Sequence, residues 1–212
     1  NSTKDGTTER VLRQLARKAS GMTGADIERL VRQARQKARR EKRAITWSDM
    51  ESVLAESKPE RPDQIRIRTA IHEAAHAVAR IRLDLGEITM ITIDGPDGGY
   101  VSGSFSEYEQ TEELMTGWLV VMLSGRAAEE EVFGSVTAGS GGADTSDLGK
   151  ATQLAFDMET IYGFGRQEPL LYRAVGDRST VLHLHRELAA RVDARLNSAY
   201  AAARKLVAAR MD

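Results

Sequence analysis

The chain has 212 residues, with 30 Lys and Arg against 31 Asp and Glu and no Cys. That length suffices for one large domain or two small ones with a real core, and the missing cysteines exclude disulfides and thiolate metal sites, so any metal must take His, carboxylate or water. No stretch of 18 or more apolar residues occurs, so the chain is expected to be soluble and not to cross a membrane by itself. No signal-peptide pattern appears, and a start at Asn1 rather than Met points to a piece of something longer.

The near-zero net charge hides an asymmetry. Residues 1–55 carry 4 Lys and 9 Arg against 7 acids, a balance of +6, while residues 56–212 balance at −7. Such a split reads as two domains with different surfaces.

The first piece is expected to be helical. In "GADIERLVRQARQKARREKR", Ile27, Leu30, Val31, Ala34 and Ala38 fall on one stripe of a helix. The other faces carry Arg29, Arg32, Arg35, Lys37, Arg39 and Arg40. Clustered cations can bind phosphates, but without interleaved aromatics or a docking motif a solvated face or a subunit contact is the better reading, and no nucleic-acid partner is expected. A second short helix follows, with Thr46 as N-cap and Asp49 three residues on, a capping box with Asp in place of Glu. Pro59 and Pro62, among the charges of "ESKPERPDQ", break the pattern. The domain expectation is therefore a helical piece at 1–56, a linker at 57–64 and a second domain at 65–212.

The second piece opens on a helix containing "TAIHEAAHAVARI", with a core stripe of Ile71, Ala74, Ala75, Val78 and Ile81. "EITMITI" is rich in β-branched residues and predicts a strand. "DGPDGG" is dense turn chemistry, and "YVSGSF" can return as its partner. A helix pair is predicted over 111–133, broken at Ser124-Gly125. A Gly-rich loop, "TAGSGGADTSD", leads into the helix "LGKATQLAFDMETIY". From Val181 to Val207, apolar residues spaced by 3 and 4 predict one long helix. His183 and His185, two apart, point to different sides and read as surface residues. The fold class is mainly α, with a small β-hairpin.

The motif that carries chemistry is His72-Glu73-Ala74-Ala75-His76. At 100° per residue the two imidazoles lie about 40° apart on the helix, one turn above the other. They can then reach one ion at roughly 2.0–2.1 Å each. Glu73 lies about 60° around the axis from His76, beside the ion, where it can take a proton from water. The complete H-E-x-x-H is more specific than a His pair, because base and both ligands coincide on one helix. The alternative is a partly buried helix whose His and Glu make ordinary hydrogen bonds. A third protein ligand is still required, since catalytic zinc usually has three plus water.

Several stretches resemble FtsH-type AAA+ zinc metalloproteases. "TAIHEAAHAV" resembles that family's TA-x-HEAGHA signature, and "LSGRAAEEEVFGSVTAG" its LGGRAAEE-x-VFG-x-VTTG. "SDLGKATQLAFDMETIYGFG" is similar to its ND-[IL]-xx-AT-xx-A-xx-M-xxx-YG-[MF], and "VDARLNSAYAAARKLV" to its closing helix. "LARKASGMTGADIERLVRQARQKARREKRAITWSDMESVL" resembles the end of the AAA+ lid. The likeness covers nearly the whole chain in the family's order.

The resemblance implies zinc ligands His72, His76 and Asp147, one Zn2+ per chain, with Glu73 as general base. It also implies Glu129 as an acid orienting a ligand histidine; otherwise Glu129 is an ordinary helix-surface charge. Two departures stand out. Ala75 replaces the family's Gly, and the loop before Asp147 is longer by about three or four residues, which leaves Asp144 as a rival ligand. The expected fold is a helical protease domain at 65–212, preceded at 1–56 by the C-terminal part of the lid.

"GSGGADTSDLGKAT" is no phosphate loop, because Lys150 is followed by Ala151 and residue 144 is not Gly. ATP and Mg2+ are thus expected only in the full-length protein, although the Gly24-Ala25-Asp26 turn would sit near nucleotide there. The implied activity is that of a metalloendopeptidase degrading unfolded, misfolded or membrane proteins, with extended substrate paired to the edge of the hairpin. The implied assembly is a homohexamer on the cytoplasmic face of the bacterial inner membrane, tethered through an N-terminal region. An inactive protease-like scaffold and a helical nucleic-acid- or protein-binding module are the competing classes. Metal content and peptide cleavage separate the three.

Overall fold

The computed structural model describes residues 2–19, 21–57, 61–95, 98–104, 110–173 and 176–209. Among these the chain is mainly α, with helices α1 (Ser2–Lys18), α2 (Gly24–Arg40), α3 (Trp47–Ser57), α4 (Asp63–Arg82), α5 (Glu112–Phe133), α6 (Asp147–Thr160), α7 (Arg178–Leu184) and α8 (Arg186–Ala208), and one two-stranded sheet of β1 (Ile88–Gly95) and β2 (Gly98–Gly103). It divides into two compact units, residues 1–66 with 93–99, and residues 67–92 with 100–212.

In the first unit α2 and α3 each start on a reciprocal cap. Thr23 Oγ1 accepts from Asp26 N–H while an Asp26 carboxylate oxygen accepts from Thr23 N–H, so Gly24-Ala25-Asp26 is the first turn of a helix and not a free turn. Thr46 and Asp49 repeat the arrangement as expected, at 2.8 Å for Thr46 N to Asp49 Oδ2. Such caps satisfy two orphan amide donors at once. Leu30 and Ala34 of α2 pack with Leu15, Val53 and Leu54, and Ala38 is also buried, whereas Ile27 is exposed. The arginines of α2 point outward as a solvated face. Pro59 lies outside the described residues, and α4 begins at Asp63, just after Pro62.

The second unit is built around α5. Its Leu119, Leu123, Ala127 and Ala128 pack with Ala151, Ala155, Phe156 and Met158 of α6 and with Leu188, Val192, Ala199 and Ala203 of α8. Alanine at so many contact positions lets the helices approach closely, and Phe156 and Leu119 fill the remaining space. Fully burying one such large side chain contributes about 1.5–3 kcal/mol.

Three expectations need correction. The helix pair over 111–133 is one unbroken helix, because Gly125 serves close packing and not a break. The long tail helix divides at His185, whose φ and ψ of −109° and 81° end α7 before α8 begins. The core stripe of α4 is rotated: Ile81 is 65% exposed and Ala74 exposed, while His72, Glu73, Ala75, His76, Ala79 and Arg80 are buried. The side that carries the imidazoles faces α5, and the small Ala75 and Ala79 allow that approach.

The strands pair as expected. Ser104 N–H donates to Glu87 O at 3.0 Å just beyond the strand ends, and Thr89 faces Ser102. Pro96 and Asp97 of the expected turn, and Phe105 of the expected second strand, lie outside the described residues.

Candidate metal centre

His72 and His76 stand one turn apart on α4, with ring centroids 4.7 Å apart and planes at 74°. Asp147 is the first residue of α6, where the helix dipole favours a carboxylate. Ser146 caps that helix by accepting from Gly149 N–H at 3.1 Å and donating to Ala143 O at 2.6 Å. Gly149 must lack a side chain, because a Cβ there would lie 2.5 Å from Ala143 O and 2.8 Å from Asp144 O. The Gly-rich loop is thereby folded against the start of α6, and Asp147 is carried to the histidines. Its Oδ2 lies 3.0 Å from His72 Nε2 and 3.2 Å from His76 Nε2.

These three residues are the one group among the described residues whose ligand atoms converge, all lying within 4.8 Å of one another. Asp144, the rival, is exposed and stands outside the group. Glu129 on α5 is 2% exposed, and its Oε1 lies 2.8 Å from His72 Nδ1. The structure therefore buries Glu129 against a histidine of the cluster.

The hydrogen bonds at the outer nitrogens determine what the inner ones can do. His76 Nδ1 lies 2.7 Å from Val121 O, a carbonyl that can only accept, so Nδ1 carries the proton. Glu129 likewise accepts from His72 Nδ1, because its carboxyl is held below the ordinary range: burial opposes the charge, but Arg68, His72 and Thr137 outweigh it. In their neutral forms both rings thus turn an Nε2 lone pair towards Asp147. Three electron-pair donors facing one another call for a shared cation. Burial works against a proton on His72, yet the hydrogen bond and charge of Asp147, with Glu129, hold its pKa above the usual value. Burial also opposes the charge on Asp147, and the two imidazoles keep its carboxyl well below the usual carboxylate range.

Space is reserved for the rings as well. A Cβ on Gly125 would lie 2.5 Å from His72 Nε2 and 2.6 Å from His76 Nε2. Glycine in mid-helix costs about 1 kcal/mol relative to alanine, and here it lets both imidazoles rest on the backbone of α5. The donor set, the outer hydrogen bonds and this cradle together fit a divalent ion bound by two imidazoles and one carboxylate. Asp147 retains 28% of its side chain exposed, so the cluster is not sealed.

Glu73 is buried, and its carboxylate accepts no hydrogen bond from the described residues. Burial pushes its pKa up, against the pull of His76 and His72. A carboxyl displaced towards neutrality suits proton transfer. Reading the sequence missed Arg68, Val121 O, Gly125 and Thr137. Arg68 was legible as the residue one turn before His72, whereas the other three act across tertiary contacts.

Two family models match the chain: the AAA+ lid domain over residues 11–52 and peptidase family M41 over residues 61–211. Among curated relatives, the ATP-dependent zinc metalloprotease FtsH 1 of Sphaerobacter thermophilus is 33% identical over 183 residues, 76% of this chain and 27% of that protein. The ATP-dependent zinc metalloprotease FtsH of Caldicellulosiruptor bescii is 30% identical over 211 residues, 88% of this chain and 33% of its own. FtsH 1 of Sorangium cellulosum is 31% identical over 223 residues, covering 93% of this chain and 35% of the relative. The chain thus spans about a quarter to a third of the length of the curated relatives it matches. With the family model extending over 61–211 and the His72, His76 and Asp147 cluster lying within it, the chain belongs to peptidase family M41, the family of the FtsH-type zinc metalloproteases.

Proposed function

We propose that the chain carries the catalytic centre of a zinc metalloendopeptidase, with His72, His76 and Asp147 as the metal ligands, one zinc per chain, and Glu73 as the general base. The observation that carries this reading is the convergence of His72 Nε2, His76 Nε2 and Asp147 Oδ2 while both Nδ1 protons are committed to Glu129 and Val121 O. A zinc ion bound there would polarise the substrate carbonyl and make water a better nucleophile near neutral pH. A Glu73 carboxylate oxygen takes the proton of the attacking water. As the C–N bond breaks, it passes that proton to the departing amine nitrogen. Glu129 keeps the His72 ring turned to the centre.

On the same reading, residues 1–56 are the C-terminal part of an AAA+ lid, 57–64 a linker and 65–212 the protease domain. The substrates are unfolded, misfolded or membrane proteins, paired in extended form with an edge of the β1–β2 hairpin. The whole protein works as an ATP-dependent homohexamer, on the cytoplasmic face of a bacterial inner membrane. On this reading an N-terminal region of the whole protein supplies the membrane tether; among the described residues no helix is long and apolar enough to cross a membrane.

The test is zinc stoichiometry after dialysis, with cleavage of an unfolded polypeptide measured on the same samples. Asp147→Asn should lose both, and Asp144→Asn should keep most of both. Glu73→Gln should retain zinc and lose cleavage by about 10²–10⁴-fold. Loss of metal from Asp144→Asn with retention in Asp147→Asn would reassign the third ligand, and cleavage by Glu73→Gln at the wild-type rate would end the mechanism.

A further inference from the structure

One arginine outside the ligand cluster is wired to it through a single carboxylate. Arg68 lies one turn before His72 on α4, on the same side of the helix. Its Nη1 donates to Glu129 Oε2 at 2.9 Å and to Ser135 O at 2.9 Å, and its Nη2 donates to Ser135 Oγ at 3.1 Å. The guanidinium also stacks 4.2 Å over the Phe133 ring, at the end of α5. Glu129 is divided between two tasks. Oε2 takes Arg68 and the Thr137 N–H at 2.9 Å, and Oε1 takes His72 Nδ1 at 2.8 Å and the Thr137 hydroxyl at 3.2 Å.

A buried carboxylate keeps its charge and its orientation only through such donors. Of the four, Arg68 alone brings a permanent full charge, and it also ties down Ser135, two residues before Thr137. Removing it takes one contact from Glu129 directly and loosens the segment that supplies two more. The remaining contact is the one to His72. The carboxylate oxygen that orients the ring would then be held by the ring it is meant to orient.

We propose that Arg68 is a positioning residue for the metal centre: acting through Glu129, it holds the His72 ring with its Nδ1 proton on Glu129 and its Nε2 turned to His76 and Asp147. This rests on His72 being a metal ligand. The competing account is a structural tie between α4 and the end of α5, which would move fold stability and nothing else. A side chain that keeps the apolar stem but not the fork separates the two, because it can still pack on Phe133. Lysine restores one charged donor but cannot bridge Glu129 and Ser135 as the planar guanidinium does.

The experiment compares the wild-type chain with Arg68→Met and Arg68→Lys. Zinc affinity is measured by competition with a chromogenic chelator, and the His72 ring nitrogens of the metal-free protein are followed by 15N NMR. Arg68→Met should lower zinc affinity about tenfold, the low end of the roughly 10–100-fold seen when an outer partner of a ligand is lost. It should also weaken protection of the His72 Nδ1 proton from exchange, and the fall in melting temperature of the metal-free chain that follows from leaving buried Glu129 without its cation should be recovered in large part by Arg68→Lys. The lysine variant should recover part of the affinity and of the protection as well. Unchanged affinity with unchanged ring signals in Arg68→Met overturns the proposal. So does a loss of affinity matched by a large loss of metal-free stability that lysine does not rescue. Failure of the wild-type chain to take up zinc would overturn the metalloprotease reading, and the metal-free ring signals would still decide whether Arg68 orients His72.

Discussion

The two units use the same charged residues in opposite ways. In the first, Arg13 with Glu9 and Arg32 with Glu28 pair one helical turn apart and stay in water, with 71–72% of the Arg32 and Glu28 side chains exposed. In the second, the carboxylates go inside. Glu159, with 4% of its side chain exposed, accepts from Arg191 Nε at 2.9 Å and Arg195 Nε at 2.5 Å, and Arg178 forks onto Asp157. Glu129 joins Arg68 to His72. An exposed pair contributes about 0–1 kcal/mol, whereas a buried carboxylate keeps a defined position only while its partners hold it. The acidic excess of residues 56–212, read as a surface property, is thus partly interior: Glu73, Glu129, Asp157 and Glu159 all lie inside.

The largest effect should come from breaking the centre without touching a charge. Gly125→Ala places a methyl 2.5 Å from His72 Nε2 while improving helix propensity by about 1 kcal/mol. Far-UV circular dichroism should show undiminished helix. Zinc affinity should fall by at least the roughly 100-fold that loss of an outer-shell partner can cost. Wild-type affinity in this variant would mean that the rings do not rest on Gly125.

Next comes the interior pair. Glu159→Ala leaves Arg191 and Arg195 without their shared carboxylate, and since both arginines are partly exposed the loss should be about 3 kcal/mol, the low end for breaking a buried pair. Urea unfolding measures it, and a loss below about 1 kcal/mol would place this pair with the surface pairs of the first unit.

One ion pair of the first unit sharpens the contrast by departing from the rule. Asp49 is buried; the Arg43 guanidinium and the Thr46 amide hold its carboxyl well below the usual carboxylate range. A depressed folded pKa stabilises the fold at pH above the unfolded value of about 3.9, and that stability is lost as pH falls through the folded value. The stability advantage of wild type over Asp49→Asn should therefore be full at neutral pH and shrink below about pH 4. Denaturant midpoints across pH 2–7 test this, and a constant difference would remove Asp49 from the account. The smallest effect belongs to Arg32→Ala, expected to change stability by less than about 0.5 kcal/mol because its partner sits one turn away in water.

Local spacing made much of the molecule legible. The imidazoles of His72 and His76 share a helix side because four residues make about one turn, and Thr46 and Asp49 cap α3 because a cap needs only residues three apart. Asp147 stood as a ligand only through resemblance. The structure brings it to the histidines because Ser146 caps α6 and Gly149 lets residues 143 and 144 lie against the helix.

What stayed hidden depends on partners far along the chain. Ser124-Gly125 carries the composition of a break, and only the imidazoles 49 to 53 positions earlier explain why a helix continues through a glycine there. The buried side of α4 is chosen not by its most apolar residues but by where α5 has room, which turns Ile81 outward and His72 inward. The break at His185 follows no spacing rule, since the apolar stripe runs on through it. Helix periodicity, capping and the H-E-x-x-H geometry are properties of neighbours within a turn or two, so the sequence by itself determined them. Which glycine becomes a cradle, which carboxylate is buried and which arginine orients it are decided by residues brought together from tens of positions apart, and only the tertiary structure settles those.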